Sequence, residues 1–207
     1  MNKDKTIIMF TGYKRSGKDT AAKIVLEKVG GEIFKFADPL RRFVKDLLVI
    51  DDKELEEKKD EKPYRFSLES ESLDSIFCGY PGESGEFLSY AGKKMSIRDL
   101  MIVFSEGLKK YYGNEIFCEA AEKKIRNSKA SLCIISDLRY PFEAEYFKKR
   151  FEKVFIVKIK RPGIGLSSNH SSETSINDIT PDFEINNDGG IRELEQKILE
   201  IVKNLNF

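Results

Sequence analysis

The residues from Gly12 to Lys18 (Gly-Tyr-Lys-Arg-Ser-Gly-Lys) carry the first recognisable chemistry of the chain. Two glycines at this spacing, the second followed by a lysine, form the pattern G-x-x-x-x-G-K of a phosphate-binding loop. Glycines let the main chain wrap phosphate oxygens with successive amides pointing inward, and a helix starting there adds the positive end of its dipole. Lys18 would reach the outer phosphates of a nucleoside triphosphate, with Lys14, Arg15 and Ser16 inside the loop. The next residue is Asp19 rather than Ser or Thr, and Thr20 follows. Asp19 or Thr20 could hold a magnesium ion, directly or through water, or Asp19 could cap the helix.

A phosphate loop works only between a buried strand and a helix, and the flanking residues have that pattern. Residues 6–11 (TIIMFT) are a short β-branched and apolar run, as in a buried strand. Residues 19–29 place Ala22, Val25, Leu26 and Val29 on one helical face, stopped by Gly30-Gly31. Residues 33–36 suggest a weak second strand. Asp38-Pro39 then fits an N-cap and a first-turn proline, with Leu40, Phe43, Val44, Leu47 and Leu48 as the apolar stripe and Arg41 off it. The acid-rich stretch 51–61 (DDKELEEKKDE) reads as a solvated helix end or loop. Residues 62–94, rich in Gly and Pro, read as an excursion from the core.

Further on, Ser96 and Asp99 have the spacing of a capping box before a helix bearing Ile97, Leu100, Met101, Phe104 and Leu108. A helix is predicted over 114–126 and buried strands over 131–136 and 154–159. A final helix carries Ile191, Leu194, Ile198, Ile201, Val202 and Leu205. Strands alternating with amphipathic helices predict an α/β fold, a parallel sheet of about five strands with helices on both faces. The candidate polar residues follow strands, where such sheets bind ligands.

Composition narrows the rest. With 207 residues, one domain spanning 1–207 is expected, with an inserted region at about 51–94 and a lid-like segment at about 162–180. Lys plus Arg (36) nearly balance Asp plus Glu (35), which argues against a general polyanion or nucleic-acid binder. Apolar runs of four or five residues are far short of a bilayer span, so no membrane role is expected. Three cysteines and one histidine leave no disulfide framework and no zinc site. The expected compartment is the cytoplasm, that of the host if the chain is phage-encoded, and a homodimer is compatible with the sequence.

Six segments then occur in a telling order: GYKRSGKDT (12–20), FADPLR (36–41), SIRDLM (96–101), SDLRYPFEAE (136–145), His170-x-x-Glu173 and DFEINNDGGIREL (182–194). In these the chain resembles the deoxynucleoside monophosphate kinases of the tailed-bacteriophage type, over nearly its whole length and least from 51 to 94. The resemblance implies a P-loop kinase fold and transfer of the γ-phosphoryl group of ATP to a deoxynucleoside monophosphate, with magnesium. Ile102 and Ser105-Glu106 depart from the usual family residues, which bears on base selectivity. The resemblance places His170 and Glu173 at a lid over the donor, in a segment otherwise expected to be exposed. It brings the main chain at Asn187, otherwise a turn, near the adenine, and Asp38, His170 and Glu173 are counted with the acceptor-binding residues.

The chemistry implied makes sense of the remaining side chains. An acceptor phosphate monoester is largely a dianion at neutral pH, its second pKa being about 6, so no general base is required. What transfer needs is positioning and charge neutralisation, chiefly by guanidinium groups. Arg41, in the first turn of its helix, and Arg98, opening the capped helix, are candidates for the acceptor phosphate or are surface arginines. Arg139 lies just past a strand end beside Asp137, which could orient it, accept a magnesium-bound water or cap the turn. Arg161 could stack on adenine, contact phosphates or mark a loop start. Glu143 and Glu145 are expected to be solvated.

Two rival functions share the loop. Phosphomevalonate kinases of the animal type have a similar phosphate loop ending in Ser-Gly-Lys-Asp and an S-D-x-R segment, and would differ only in acceptor. A non-catalytic nucleotide-binding module would lack acceptor arginines.

Overall fold

A computed structural model describes residues 5–61, 96–165 and 174–205. The chain divides into two units, Met1–Ala37 with Phe117–Phe207, and Asp38–Ile116.

The first unit is built on a parallel sheet. Its strands are β1 (Thr6–Thr11), β2 (Glu32–Phe34), β3 (Leu132–Leu138), β4 (Lys153–Lys160) and β5 (Phe183–Asn186), in the order β2-β3-β1-β4-β5. Every neighbouring pair is parallel, with Thr6 opposite both Leu132 and Lys153. The expected parallel α/β architecture is the observed one. β1 is central and buried along its whole length, as its continuous apolar run demands.

Period-two alternation sorts the strand residues between the two faces. Ile8, Phe10, Ile134, Val157, Ile159 and Ile185 pack in one cluster with Ala21, Ala22 and Val25 of α1 (Lys18–Val29). Leu194, Ile198 and Val202 of the last helix (Ile191–Asn204) complete that cluster. Elsewhere in the unit Phe36 meets Phe147 edge-on at 5.7 Å, and Phe147 stacks on Phe151 at 5.6 Å.

The chain leaves β1 toward β2 on one side of the sheet and later fills β4 and β5 on the other. The carboxyl end of β1 therefore lies at a switch point of strand order, where open parallel sheets form a crevice. β3 runs two residues beyond the predicted strand, through Asp137 to Leu138, and its pairing with β1 is irregular between Met9 and Thr11. Arg139 consequently sits directly at the strand end.

The second unit holds α2 (Asp38–Leu48), α3 (Asp52–Lys58) and α4 (Ile97–Tyr112). Ser96 caps α4 as its spacing predicts: Asp99 N donates to Ser96 Oγ at 3.1 Å and Ser96 N donates to Asp99 Oδ2 at 3.0 Å. Two expectations change here. Within the α2 stripe only Leu40 and Val44 are buried, while Phe43, edge-on to Phe104 at 4.7 Å, stays 45% exposed. The acidic stretch is not simply solvated. It forms α3 with Leu55 fully buried, because Asp51 caps it by accepting from Glu54 N at 2.7 Å.

Among the described residues, the remaining helices are α5 (Ile116–Asn127), α6 (Pro141–Lys148) and α7 (Ile191–Asn204), with a 3-10 turn at Ser175–Asp178. Among the described residues, no helix is long and apolar enough to cross a membrane. The excursion expected at 62–94 and residues 166–173 of the lid-like segment, including His170 and Glu173, lie outside the described residues.

Candidate functional site

The carboxyl ends of β1, β3, β4 and β5 gather the predicted residues of the first unit that are described. β1 opens into the Gly12–Lys18 loop, β3 ends at Asp137 and Arg139, β4 leads to Arg161 and β5 to Asn187.

The loop is held in a shape that requires its glycines. Gly12 (φ 147°) and Gly17 (φ 106°) both lie in the left-handed region. A Cβ on Gly12 would run into the Ile159 carbonyl oxygen, and one on Gly17 into Asn187 Nδ2. Arg15 also adopts positive φ, 66°, at the exposed tip. Inside the loop Ser16 N donates to Tyr13 O at 3.1 Å, and Ala21 N donates to Gly17 O at 2.8 Å to start α1. Lys18 is only 5% exposed, with Nζ 3.5 Å from Tyr13 O and 4.0 Å from Asp19 Oδ2. Ser16 Oγ and Thr11 Oγ1 are buried with no hydrogen-bond partner among the described residues. Buried hydroxyls are rarely left so, and these lie in and just before the loop.

Asp19 faces cations. Lys35, one residue beyond β2, donates to Asp19 Oδ1 at 3.0 Å, and Ser136 Oγ lies 3.5 Å from the same oxygen. Burial alone would raise the Asp19 pKa, but Lys35, Lys18 and Arg139 outweigh it and hold it below the ordinary carboxylate value. Lys35 escaped the sequence reading because the second strand was expected over 33–36, with Lys35 inside it, whereas β2 ends at Phe34 and leaves Lys35 just past the strand end. Thr20 is half-buried one position further along α1.

Asp137 is engaged with the main chain. Its two oxygens accept from Phe36 N at 2.9 Å and Ala37 N at 3.0 Å, tying the exit of β2 to the end of β3. Burial pushes its pKa above the usual Asp value, against these amides and the nearby Lys35 and Arg139. Of its expected roles, this geometry gives it the capping one directly. Glu143 corrects another expectation: it is buried, not solvated, and its Oε2 accepts from Arg139 N at 2.8 Å and Tyr140 N at 3.0 Å. That bond starts α6 and fixes the backbone of Arg139. Glu145 is exposed, as expected.

Two contacts anchor the chain just after 166–173. Tyr13 Oη donates to Asn177 Oδ1 at 2.8 Å, and the buried Lys158 donates to Ile176 O at 3.0 Å. Arg161 is exposed in a turn closed by Ile164 N donating to Arg161 O at 3.1 Å. Asn187 is buried, and its side chain, not only its main chain, meets the loop: Nδ2 donates to Ser16 O at 2.8 Å.

In the second unit Asp38 opens α2. Arg41 pairs with Glu56, and Arg98 Nε donates to Asp60 Oδ1 at 2.6 Å. Both arginines are thus oriented by carboxylates of the acidic stretch 51–61.

Among the described residues, no three His, Cys, Asp or Glu side chains converge as a metal cage. The ionised Asp19 beside the loop offers a lone carboxylate, a donor set that fits magnesium, which keeps several waters and takes other oxygens from phosphates.

The family model described as deoxynucleotide monophosphate kinase matches residues 75–198, more than half of the chain. A candidate deoxynucleotide monophosphate kinase of Acanthamoeba polyphaga mimivirus is 28% identical over 199 residues, covering 96% of each chain. Among solved structures, shikimate kinase from Aquifex aeolicus is 12% identical with a TM-score of 0.47, covering 96% of this chain and 97% of that one. Dephospho-CoA kinase from Campylobacter jejuni is 15% identical with a TM-score of 0.44, covering 98% of each. With its phosphate loop at the end of a central parallel strand and this match, the chain belongs to the deoxynucleotide monophosphate kinase family.

Proposed function

We propose that the protein transfers the γ-phosphoryl group of ATP to the phosphate of a deoxynucleoside monophosphate, giving the diphosphate. The observation that carries this reading is the Gly12–Lys18 loop itself, turned on two glycines at positive φ, backed by buried Lys18 and with the Ser16 hydroxyl unpartnered among the described residues. Gly12, Lys14, Arg15, Ser16, Gly17 and Lys18 hold the triphosphate, Lys18 countering charge on the transferring group. Arg161 and Asn187 complete the ATP side. Asp19 and Thr20 would hold the magnesium, directly or through water. When bound, magnesium would neutralise phosphate charge and fix the geometry of the outer phosphates.

Arg139, with Arg41, Arg98 and Asp38, holds the acceptor, and His170 and Glu173 act with them. The acceptor dianion is nucleophilic without a base, so these residues orient and neutralise, and proton abstraction is not part of the step. Asp137 acts by tying the Phe36–Ala37 backbone to the end of β3, the strand that Arg139 follows. A coupled assay for ADP with dAMP, dCMP, dGMP, dTMP and phosphomevalonate offered separately tests the reading. Turnover with at least one deoxynucleotide is expected, and turnover with phosphomevalonate alone would overturn it.

A further inference from the structure

Asn187 follows β5 and is nearly buried, 7% exposed, beneath the phosphate loop. Its own amide donates to Lys160 O at 2.7 Å, which fixes its backbone to the end of β4. Its carboxamide Nδ2 donates to Ser16 O at 2.8 Å, and it occupies the space that a side chain on Gly17 would need. The turn beyond it is fixed too: Lys197 Nζ of α7 donates to Asn186 O at 2.6 Å and Asp188 Oδ1 at 2.8 Å.

In a trans peptide the C=O and the following N–H point in opposite directions. Holding the Ser16 carbonyl against Asn187 therefore turns the Gly17 N–H away from Asn187. We infer that Asn187 is a positioning residue for phosphoryl transfer, a staple that keeps the Ser16–Gly17 peptide turned so that its N–H is available to a phosphate. This role rests on the kinase reading above but differs from an adenine contact, because it acts through the loop. It also explains why the second loop glycine is needed twice, for its positive φ and for room to admit the carboxamide.

The role is tested by comparing Asn187→Asp and Asn187→Ala with the parent protein. Asn187→Asp keeps the shape but sets a carboxylate against the Ser16 carbonyl, and Asn187→Ala removes the donor should the first variant fail to fold. Binding of tripolyphosphate is measured by calorimetry and binding of adenosine by ligand-observed NMR, with melting curves alongside. The staple predicts tripolyphosphate affinity reduced about tenfold or more while adenosine binding is unchanged, the loss of a hydrogen bond with charge repulsion added. Tripolyphosphate affinity equal to the parent's would overturn it, as would a loss confined to adenosine or shared equally between the two ligands. A parent protein that binds no tripolyphosphate would instead overturn the kinase reading, and the staple with it.

Discussion

Lys35 donates to the Asp19 carboxylate across 3.0 Å, from just beyond β2 to the first turn of α1. The side chain standing where a phosphate loop usually has Ser or Thr is therefore a carboxylate already ionised and oriented by a cation. Asp19→Asn keeps the shape and removes the charge. It is expected to raise the magnesium concentration needed for half-maximal activity by about tenfold, in the range seen when a group orienting a metal is changed. Magnesium titrations of activity and of ATP binding give the answer, and superimposable curves for variant and parent would remove Asp19 from the metal's surroundings.

Lys18→Met and Arg139→Ala are expected to fail differently. Lys18 is a buried cation, so methionine should leave the melting temperature at or above the parent's while kcat falls by about 10²–10³. Arg139→Ala should lower transfer by orders of magnitude while ATP still binds, with Arg139→Lys recovering little because a point charge does not replace a planar fork. ATP binding by calorimetry alongside steady-state kinetics separates the two cases.

Glu143 holds the Arg139 backbone, which gives a stability test independent of chemistry. Glu143→Ala removes two hydrogen bonds at the start of α6 and should cost about 1–2 kcal/mol. For a protein of this size that is roughly 2–8 °C in melting temperature. Activity should fall beyond the fraction unfolded, since the Arg139 main chain is no longer fixed.

Glu122 gives the pH dependence. It accepts from Tyr146 Oη at 2.6 Å and Arg126 Nε at 2.7 Å, with Arg150 Nε at 3.3 Å. Burial would raise its pKa, but these partners outweigh it and bring it below 4.5. A carboxylate with a depressed folded pKa stabilises fully above its unfolded pKa, near 4.5, and loses that stabilisation as pH falls through the folded value. The stability gap between the parent and Glu122→Gln should thus be constant above pH 4.5 and close in more acidic solution. Denaturant melts over that range measure it, and a gap that widens on acidification would reverse the sign.

The strands and the loop were legible in the sequence because burial writes itself into composition. β1 matches its predicted bounds, since a central strand is apolar throughout, and Ser96–Asp99 forms the capping box that its spacing announces. β5 was not delimited, because only Ile185 of its four residues is buried and the strand has no apolar run. Lys35–Asp19 and Asn187–Ser16 join residues far apart in the chain, so no local pattern encodes them. Glu143 was misjudged because a charged residue near a proline reads as surface until its carboxylate is seen accepting two amides. The α2 stripe overstated burial: Leu47 is 48% exposed, and periodicity alone cannot tell a helix face that meets the core from one that only faces it.

Phosphorus NMR on the protein mixed with ATP, magnesium and a single deoxynucleoside monophosphate tests the central claim most directly. Transfer predicts that the γ-phosphate resonance of ATP disappears in step with the growth of a deoxynucleoside diphosphate β-phosphate resonance, one for one with ADP. Release of inorganic phosphate with no diphosphate formed from any of the four deoxynucleotides would contradict it.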